Sequence, residues 1–330
     1  MKTAIVTGAG GFIGGHLTKR LIDEGYYVRA VDVKPMDEWH QVPDCTSFYG
    51  CDLRLLDNCY SVFQPAEEDM EDIEVYNLAA DMGGMGFIET HKADCMLSVL
   101  ISTNMLVAAN KIGVKSFFYS SSACVYNASK QNTSTVHPLK ESDAYPAMPE
   151  DGYGWEKLFS ERMGRHFMED FGLRFRTARY HNVYGPHGTF DGGREKAPAA
   201  ICRKVIESKL SGDHTIEIWG DGNQTRSFMY IDDCVEGTRR IMESNVDFPI
   251  NLGSSELVSI NQLVYLVEEI AGLKLKRTYK LDAPKGVRGR NSDNSLIKQH
   301  LNWEPSTKLR DGMERTYAWI WDQMTNGVKG

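Results

Sequence analysis

The sequence predicts an α/β protein built on a doubly wound parallel sheet, followed by a smaller α/β lobe. Three observations carry this expectation. Short apolar runs alternate with helical patterns through the first half of the 330 residues. A glycine-rich turn joins the first such run to the first helical pattern. Around Pro186 the rhythm loosens and glycines cluster, at 185, 188, 192 and 193, which marks a change of lobe.

Taken in order, T-A-I-V-T-G reads as a strand and Phe12 to Glu24 as a helix with Phe12, Ile13, Leu17 and Leu21 at helical spacing. Y-V-R-A-V-D-V and E-V-Y-N-L-A-A read as further strands, and Asn104 to Lys111 lies inside a helix. K-S-F-F-Y-S-S is the next strand, and Tyr153 to Asp170 a long helix. Between those two, Asn127 to Asp151 is polar, carries Pro138, Pro146 and Pro149, and reads as a long ordered loop over a site. M-Y-I-D-D is strand-like; it and the helix after it are expected to return to the first lobe, with Asp232 and Asp233 capping that helix. The expected division is 1–184, with 226–254 returning to it, and 185–225 with 255–330 as the smaller lobe.

A net charge of −8 without a basic run argues against a nucleic-acid partner. No unbroken apolar run reaches the roughly 18 residues of a spanning helix, so no membrane partner is expected. M-K-T-A-I-V-T-G enters an apolar strand at once, leaving no room for a leader peptide. The seven cysteines (Cys45, Cys51, Cys59, Cys95, Cys124, Cys202, Cys234) show no C-x-x-C, which fits reduced cytoplasmic thiols and no metal site. The ligand expected is a small molecule.

T-G-A-G-G-F-I-G places Gly8, Gly11 and Gly14 between a strand and a helix, the Rossmann-type fingerprint for a dinucleotide. Gly8 suits a tight turn, Gly11 lets the backbone approach a pyrophosphate, and Gly14 lets helix and sheet pack closely. Asp32 ends the next strand about 20 residues on, where a carboxylate binds a ribose 2′-hydroxyl and repels a 2′-phosphate. NAD is therefore favoured over NADP, although Lys34 lies close by. Asp52 reads equally as an adenine contact or a turn residue; Phe12, Ile13 and Ala79 are assigned to the same cofactor site. In Y-G-W-E-K, Tyr153 and Lys157 are four residues apart, on one helix face. A phenol with pKa near 10 needs the lysine ammonium and an oxidised nicotinamide beside it to act as a base. Ser122 is placed to bind the same substrate hydroxyl.

R-x-x-N-x-Y-G-P stands at Arg179 to Pro186 and G-D-G-x-x-x-R-x-F-x-Y-I-D-D at Gly220 to Asp233. On these the chain resembles the extended short-chain dehydrogenase/reductase superfamily over essentially its whole length. N-L-A-A-D-M-G-G-M-G-F-I, S-S-A-C-V-Y, G-G-R-E-K-A-P-A-A, W-G-D-G-N-Q-T-R-S-F and G-V-R-G-R-N-S-D-N make it most similar to the GDP-mannose 3,5-epimerase family. The resemblance implies a GDP-mannose substrate, oxidation at C4, proton exchange at C3 and C5 of the 4-keto sugar, and return of hydride to C4. The products implied are GDP-L-galactose and GDP-L-gulose, made by a homodimer.

Epimerisation needs proton donors and acceptors on opposite faces of the ring. The resemblance assigns this to Cys124, two residues past Ser122, and to Lys196 in G-G-R-E-K-A-P. A free cysteine is otherwise a packing residue and a lysine a surface one. By the same resemblance Glu195 orients Lys196 or binds a sugar hydroxyl, and Arg226 and Arg288 pair with the diphosphate. Asn182, Lys204 and Gln224 touch substrate, and Gly83 lets the backbone approach the sugar. Arg288 to Arg290 reads equally well as a solvated turn. A GDP-fucose synthase-like epimerase-reductase shares the cysteine but pairs it with a histidine, for which His181, His187 and His214 are candidates; Lys196 and Asp32 count against it. An NAD-binding regulator without chemistry would not need the intact Ser122, Tyr153 and Lys157.

Overall fold

The computed structural model describes residues 2–39, 41–44, 47–64 and 73–327, so Cys45 lies outside it. The first half runs β1 (Thr3–Thr7), α1 (Phe12–Asp23), β2 (Tyr27–Asp32), β3 (Ser47–Gly50), α2 (Leu56–Ser61) and β4 (Ile73–Asn77). It continues through α3 (Met85–Thr90), α4 (Lys92–Ile112), β5 (Ser116–Ser122), α5 (Asp151–Phe171) and β6 (Arg174–Tyr180). Then come β7 (Val183–Tyr184), α6 (Ala197–Ser211), β8 (Thr215–Trp219), β9 (Thr225–Ser227), β10 (Met229–Tyr230), α7 (Ile231–Glu243) and β11 (Ile250–Leu252). The chain closes with β12 (Leu257–Ser259), α8 (Ile260–Ala271), β13 (Lys276–Lys280), β14 (Gly289–Arg290), α9 (Ser295–Leu301) and α10 (Leu309–Thr325).

Seven strands form one parallel sheet in the order β11-β6-β5-β4-β1-β2-β3, the doubly wound α/β arrangement expected. Helices on both faces explain why T-A-I-V-T is buried along its whole length rather than alternating with polar residues. Its side chains still alternate between two cores. Ala4 and Val6 join Leu17, Leu21 and Phe118 in a cluster that continues into Ile201, Val205, Leu263 and Met313 of the second lobe. Ile5 joins Val31, Val75, Phe117 and Met105 on the opposite face.

Some expectations shift in detail. M-Y-I-D-D is not one strand: β10 ends at Tyr230 and both aspartates fall in the first turn of α7. β9 and β10 pair with β12, β14 and β7 outside the main sheet, whereas β11 joins it. Asp233 does not cap its own helix. Its Oδ2 accepts from the backbone N–H groups of Ser306 and Thr307, at 3.2 and 2.8 Å, while exposed Asp232 lies 3.6 Å from Arg315. Helix α4 is long and apolar enough to cross a membrane by length and composition, with mean hydropathy 1.4, although its serines, threonine and asparagines interrupt any single apolar run. It packs against α5 and α2, burying Cys95, Ser98, Met105 and Leu106.

The segment between β5 and α5 is ordered and stapled to the second lobe. Leu139 N–H donates to the Asn291 carbonyl at 3.0 Å, and Arg288 N–H donates to the Gln131 carbonyl at 2.9 Å. Beneath it, Arg179 on β6 donates through Nη2 and Nε to both oxygens of Glu161 on α5, at 2.7 and 2.9 Å. Ser121 donates to the same carboxylate, and Arg179 Nη1 reaches the Glu141 carbonyl at 2.7 Å. The first arginine of R-x-x-N-x-Y-G-P is therefore a structural one.

Candidate active site

The site lies at the C-terminal ends of β1, β2, β4 and β5, where a doubly wound sheet opens a crevice. After β1 the backbone turns at Gly8 with φ +74°, a conformation that a side chain resists, and a Cβ there would come within 2.9 Å of the Ala79 nitrogen. At Gly14 a Cβ would sit 2.0 Å from the Gly8 carbonyl oxygen, so only glycine lets α1 seat so close to the turn. Gly11 is the residue before α1 and supplies no side-chain cap; no acidic residue occupies the first turn. The first amides of α1, carried by Phe12, Ile13 and their neighbours, thus keep donors for an anion. Asp32 closes β2 with Oδ2 accepting from Gly10 N–H and Oδ1 from Lys34 N–H, both at 2.9 Å, which fixes the carboxylate at the rim. This cradle fits a dinucleotide: glycines where it must approach, helix N–H groups for pyrophosphate, a carboxylate for ribose. Asp52 resolves toward its turn reading, since Arg54 binds it through Nε and Nη2, at 3.0 and 2.7 Å, and through its backbone N–H.

Tyr153 stands in the first turn of α5, buried against Cys124, Cys95, Phe87 and Ile88. Gly154 permits this approach, since a Cβ there would lie 2.4 Å from the Cys124 carbonyl oxygen. Ser122 caps the short 3-10 turn Ala123–Val125, its Oγ accepting from Cys124 N–H at 3.1 Å. Burial, then the Cys124 and Glu156 charges, push the Tyr153 phenol well above its ordinary range, and a Ser122 hydrogen bond pulls it back. Lys157 Nζ lies 4.9 Å from the centre of the Tyr119 ring and 5.5 Å from that of Tyr153.

Cys124 is buried, and its principal charge partner was not among the residues expected. Arg290 Nη1 lies 3.6 Å from Cys124 Sγ, and the same guanidinium donates to Gln131 Oε1 at 2.7 Å and pairs with Glu150. The run Arg288 to Arg290 is thus no solvated turn: Arg288 stands outermost and pairs with Asp221 at 2.7 Å, while Arg290 is buried. Burial pushes the Cys124 thiol up and the Arg290 charge draws it down. Lys196, partly buried just before α6, is pushed below the ordinary lysine range by burial and drawn back chiefly by Cys124. The lysine therefore feels the thiol, and burial acts on the two groups in opposite directions. A thiol and an amine can serve as one proton acceptor and one proton donor.

The loop bearing Lys196 is held by the glycine pair. Gly84 N–H donates to the Arg194 carbonyl at 2.9 Å, and Cβ atoms at Gly83 and Gly84 would collide with residues Arg194 and Glu195. Gly83 therefore makes a close approach, to the Lys196 loop. Glu195 bonds Arg203 at 3.2 Å through Oε1, and among the described residues its buried Oε2 accepts no hydrogen bond. Gln224 likewise donates to the Trp219 carbonyl at 2.8 Å and leaves Oε1 unpartnered. Both oxygens are acceptors fit for ligand hydroxyl or amine groups. Asn182, at φ +45°, donates to the Ser227 carbonyl. Lys204 sits over the Trp219 ring at 5.7 Å and donates to the Glu217 carbonyl. Arg226 is buried with its guanidinium on the carbonyls of Thr225, Lys285 and Val287, and burial beside Arg290 lowers it to about 10.

A family profile described as "NAD dependent epimerase/dehydratase family" matches residues 4–253. Over 328 residues the chain is 49% identical to "GDP-mannose 3,5-epimerase 1" of Oryza sativa subsp. indica, covering 98% of this chain and 84% of that protein. It is 48% identical to "GDP-mannose 3,5-epimerase" of Arabidopsis thaliana, covering 97% and 82%. Among solved structures, a UDP-glucose 4-epimerase with UDP-glucose from Thermotoga maritima superposes with TM-score 0.86 at 26% identity, covering 98% of this chain and 99% of that one.

Proposed function

The chain belongs to the NAD dependent epimerase/dehydratase family, and from that premise we propose that it epimerises GDP-mannose at C3 and C5, giving GDP-L-galactose and GDP-L-gulose. One observation carries the reading: the thiol of Cys124 packs beside Tyr153 and acts on the Lys196 amine, in a chain 48–49% identical to proteins of that name. NAD, which the Gly8–Gly14 turn and Asp32 would hold, would supply the hydride acceptor and donor for C4. Tyr153 holds the C4 hydroxyl proton, and Lys157 steadies the phenolate. Ser122 orients that hydroxyl. With C4 a ketone, the protons at C3 and C5 become acidic, and Cys124 and Lys196 remove and return them on opposite faces. Glu195, Gln224, Asn182 and Lys204 are read as sugar-nucleotide contacts, and Arg226 and Arg288 as diphosphate contacts. Residues 185–225 and 255–330 are read as the lobe that binds the sugar nucleotide, and 1–184 with 226–254 as the NAD lobe.

The test is incubation with GDP-mannose in D2O, followed by NMR. Deuterium is expected at C3 and C5 together with L-galactose and L-gulose configurations; absence of exchange at both carbons overturns the proposal. An epimerase-reductase would instead consume reduced cofactor stoichiometrically, and Lys196 and Asp32 favour the reading without net redox.

The same reading includes a homodimer formed by α4 and α5. Met96, Leu97 and Leu100 on one helix and Trp155 and Phe159 on its neighbour are 41–50% exposed, an apolar patch that a partner copy would cover. Sedimentation should give a dimer that Leu97→Glu converts to monomer; a wild-type monomer would rule it out. We place the protein in the cytoplasm, without a membrane or nucleic-acid partner. Six free thiols among the described residues and the charge of −8 support this, and cell fractionation checks it.

A further inference from the structure

Y-G-W-E-K contains a charged residue that the mechanism above does not use. Adjacent residues on a helix ordinarily face apart, yet Glu156 and Lys157 are both sealed in the protein, with side chains 0% and 2% exposed. Glu156 Oε2 lies 3.7 Å from Lys157 Nζ and, among the described residues, accepts no hydrogen bond. Oε1 is fixed by two donors from different elements, Tyr119 on β5 and Ser160 one turn along α5, each at 3.1 Å. A buried carboxylate is costly unless its charge is used or paired. Here it is locked in place, with one oxygen left for the lysine that serves Tyr153.

We infer that Glu156 is a positioning residue for the Tyr153–Lys157 pair: its buried carboxylate anchors the lysine ammonium and sets the pH at which Tyr153 gives up its proton. The inference rests on the function proposed above only in taking that pair as the proton-handling unit. Lys157 and an oxidised nicotinamide bring two positive charges; a Tyr153 phenolate and Glu156 bring two negative ones. After hydride leaves C4 and its hydroxyl proton passes to the phenolate, Lys157 and Glu156 still cancel. With Glu156 the buried site is neutral in both halves of the cycle, and without it the site carries an uncompensated positive charge throughout. Removing an anion lowers the proton affinity of its neighbours, and Glu156 is one of the charges that push the Tyr153 phenol up. The other titratable groups around Tyr153 are Cys124 and Tyr119 from the β5 side, Cys95 from α4 and, beyond Tyr119, Glu161 from α5. None of these is a carboxylate paired with Lys157.

The experiment is an ultraviolet absorbance titration of tyrosinate in the NAD-loaded protein, without sugar, using Tyr153→Phe as the blank. Because no sugar is present, failure of the substrate assignment leaves the readout intact. Glu156→Gln keeps the acceptor for Tyr119 and Ser160 but removes the charge. Its midpoint is expected about one pH unit below wild type, a roughly tenfold loss of proton affinity. Glu156→Asp, which keeps the charge, should return the midpoint to within about twofold of wild type in proton affinity. An unmoved or raised midpoint in Glu156→Gln overturns the inference, as does an equal shift in both variants, which would mark simple packing. If Glu156→Gln does not fold, Ser160→Ala strips a donor and strengthens the carboxylate's field, so its midpoint should rise; no rise overturns the inference equally.

Discussion

Cys124→Ala is expected to stop deuterium entry at C3 and C5 of GDP-mannose, by about a hundred- to ten-thousand-fold, while hydride still leaves and returns at C4. The two outcomes separate because different atoms carry them. In the proposed mechanism Tyr153, Lys157 and Ser122 act at the C4 hydroxyl and the thiol at the neighbouring carbons; Ser122 alone of the three hydrogen-bonds Cys124, accepting from its backbone N–H and meeting its thiol. The thiol's charged partner is Arg290, 3.6 Å away. Proton exchange is read by NMR in D2O and C4 oxidation by transient absorbance of reduced cofactor. Unchanged deuterium incorporation would reduce the thiol to packing, and loss of both signals would mean that the alanine had disturbed Tyr153. The pH dependence has a definite sign. Burial holds the thiol protonated above its ordinary range while Lys196 is held below its own, so activity relying on either charged form should fall where burial neutralises it. For a thiolate that is the acid side.

Arg179→Leu is expected to destabilise the fold by about 3–5 kcal/mol, the range for leaving one member of a buried ion pair alone. Glu161 would keep the Ser121 donor and lose both guanidinium bonds, and the Glu141 carbonyl would lose its donor as well. Urea unfolding of the single variant and of Glu161→Leu/Arg179→Leu decides the matter. The double variant should recover at least half the loss, because two well-packed apolar residues carry no unpaired charge. A single-variant change below about 1 kcal/mol would place this pair with ordinary surface bridges instead.

Much of the site was legible because its signals are local. Gly8, Gly11 and Gly14 sit in one turn, and Tyr153 and Lys157 on one helical face, so spacing alone brings them together. Asp32 could be placed from the length of one β-α-β unit. What sequence could not supply is pairing between distant segments. Arg290 stands 166 residues from Cys124, and the pairing of β14 with β9 and the bonds to the segment after β5 bring it there. R-x-x-N-x-Y-G-P was read as one signature, yet its parts do different jobs: Arg179 holds the scaffold, Asn182 donates to the Ser227 carbonyl, and the Pro186 carbonyl meets His16 Nε2 at 3.0 Å. Asp233 was misread as a local cap because its two amide partners lie more than seventy residues further on. Glu156 was passed over because a glutamate beside a lysine on a helix resembles solvated surface.

The stapled segment between β5 and α5 has a consequence of its own. Gln131 near its start and Glu150 at its end grip the same Arg290 guanidinium, whose outer nitrogen faces the thiol. The segment is a vice rather than a flap, and its jaws are set by how much chain lies between them. Gaining or losing a residue in that stretch would misalign the guanidinium without touching any residue that meets the sugar. Chain length there is a catalytic parameter in its own right, one that a comparison of residue identities alone would overlook.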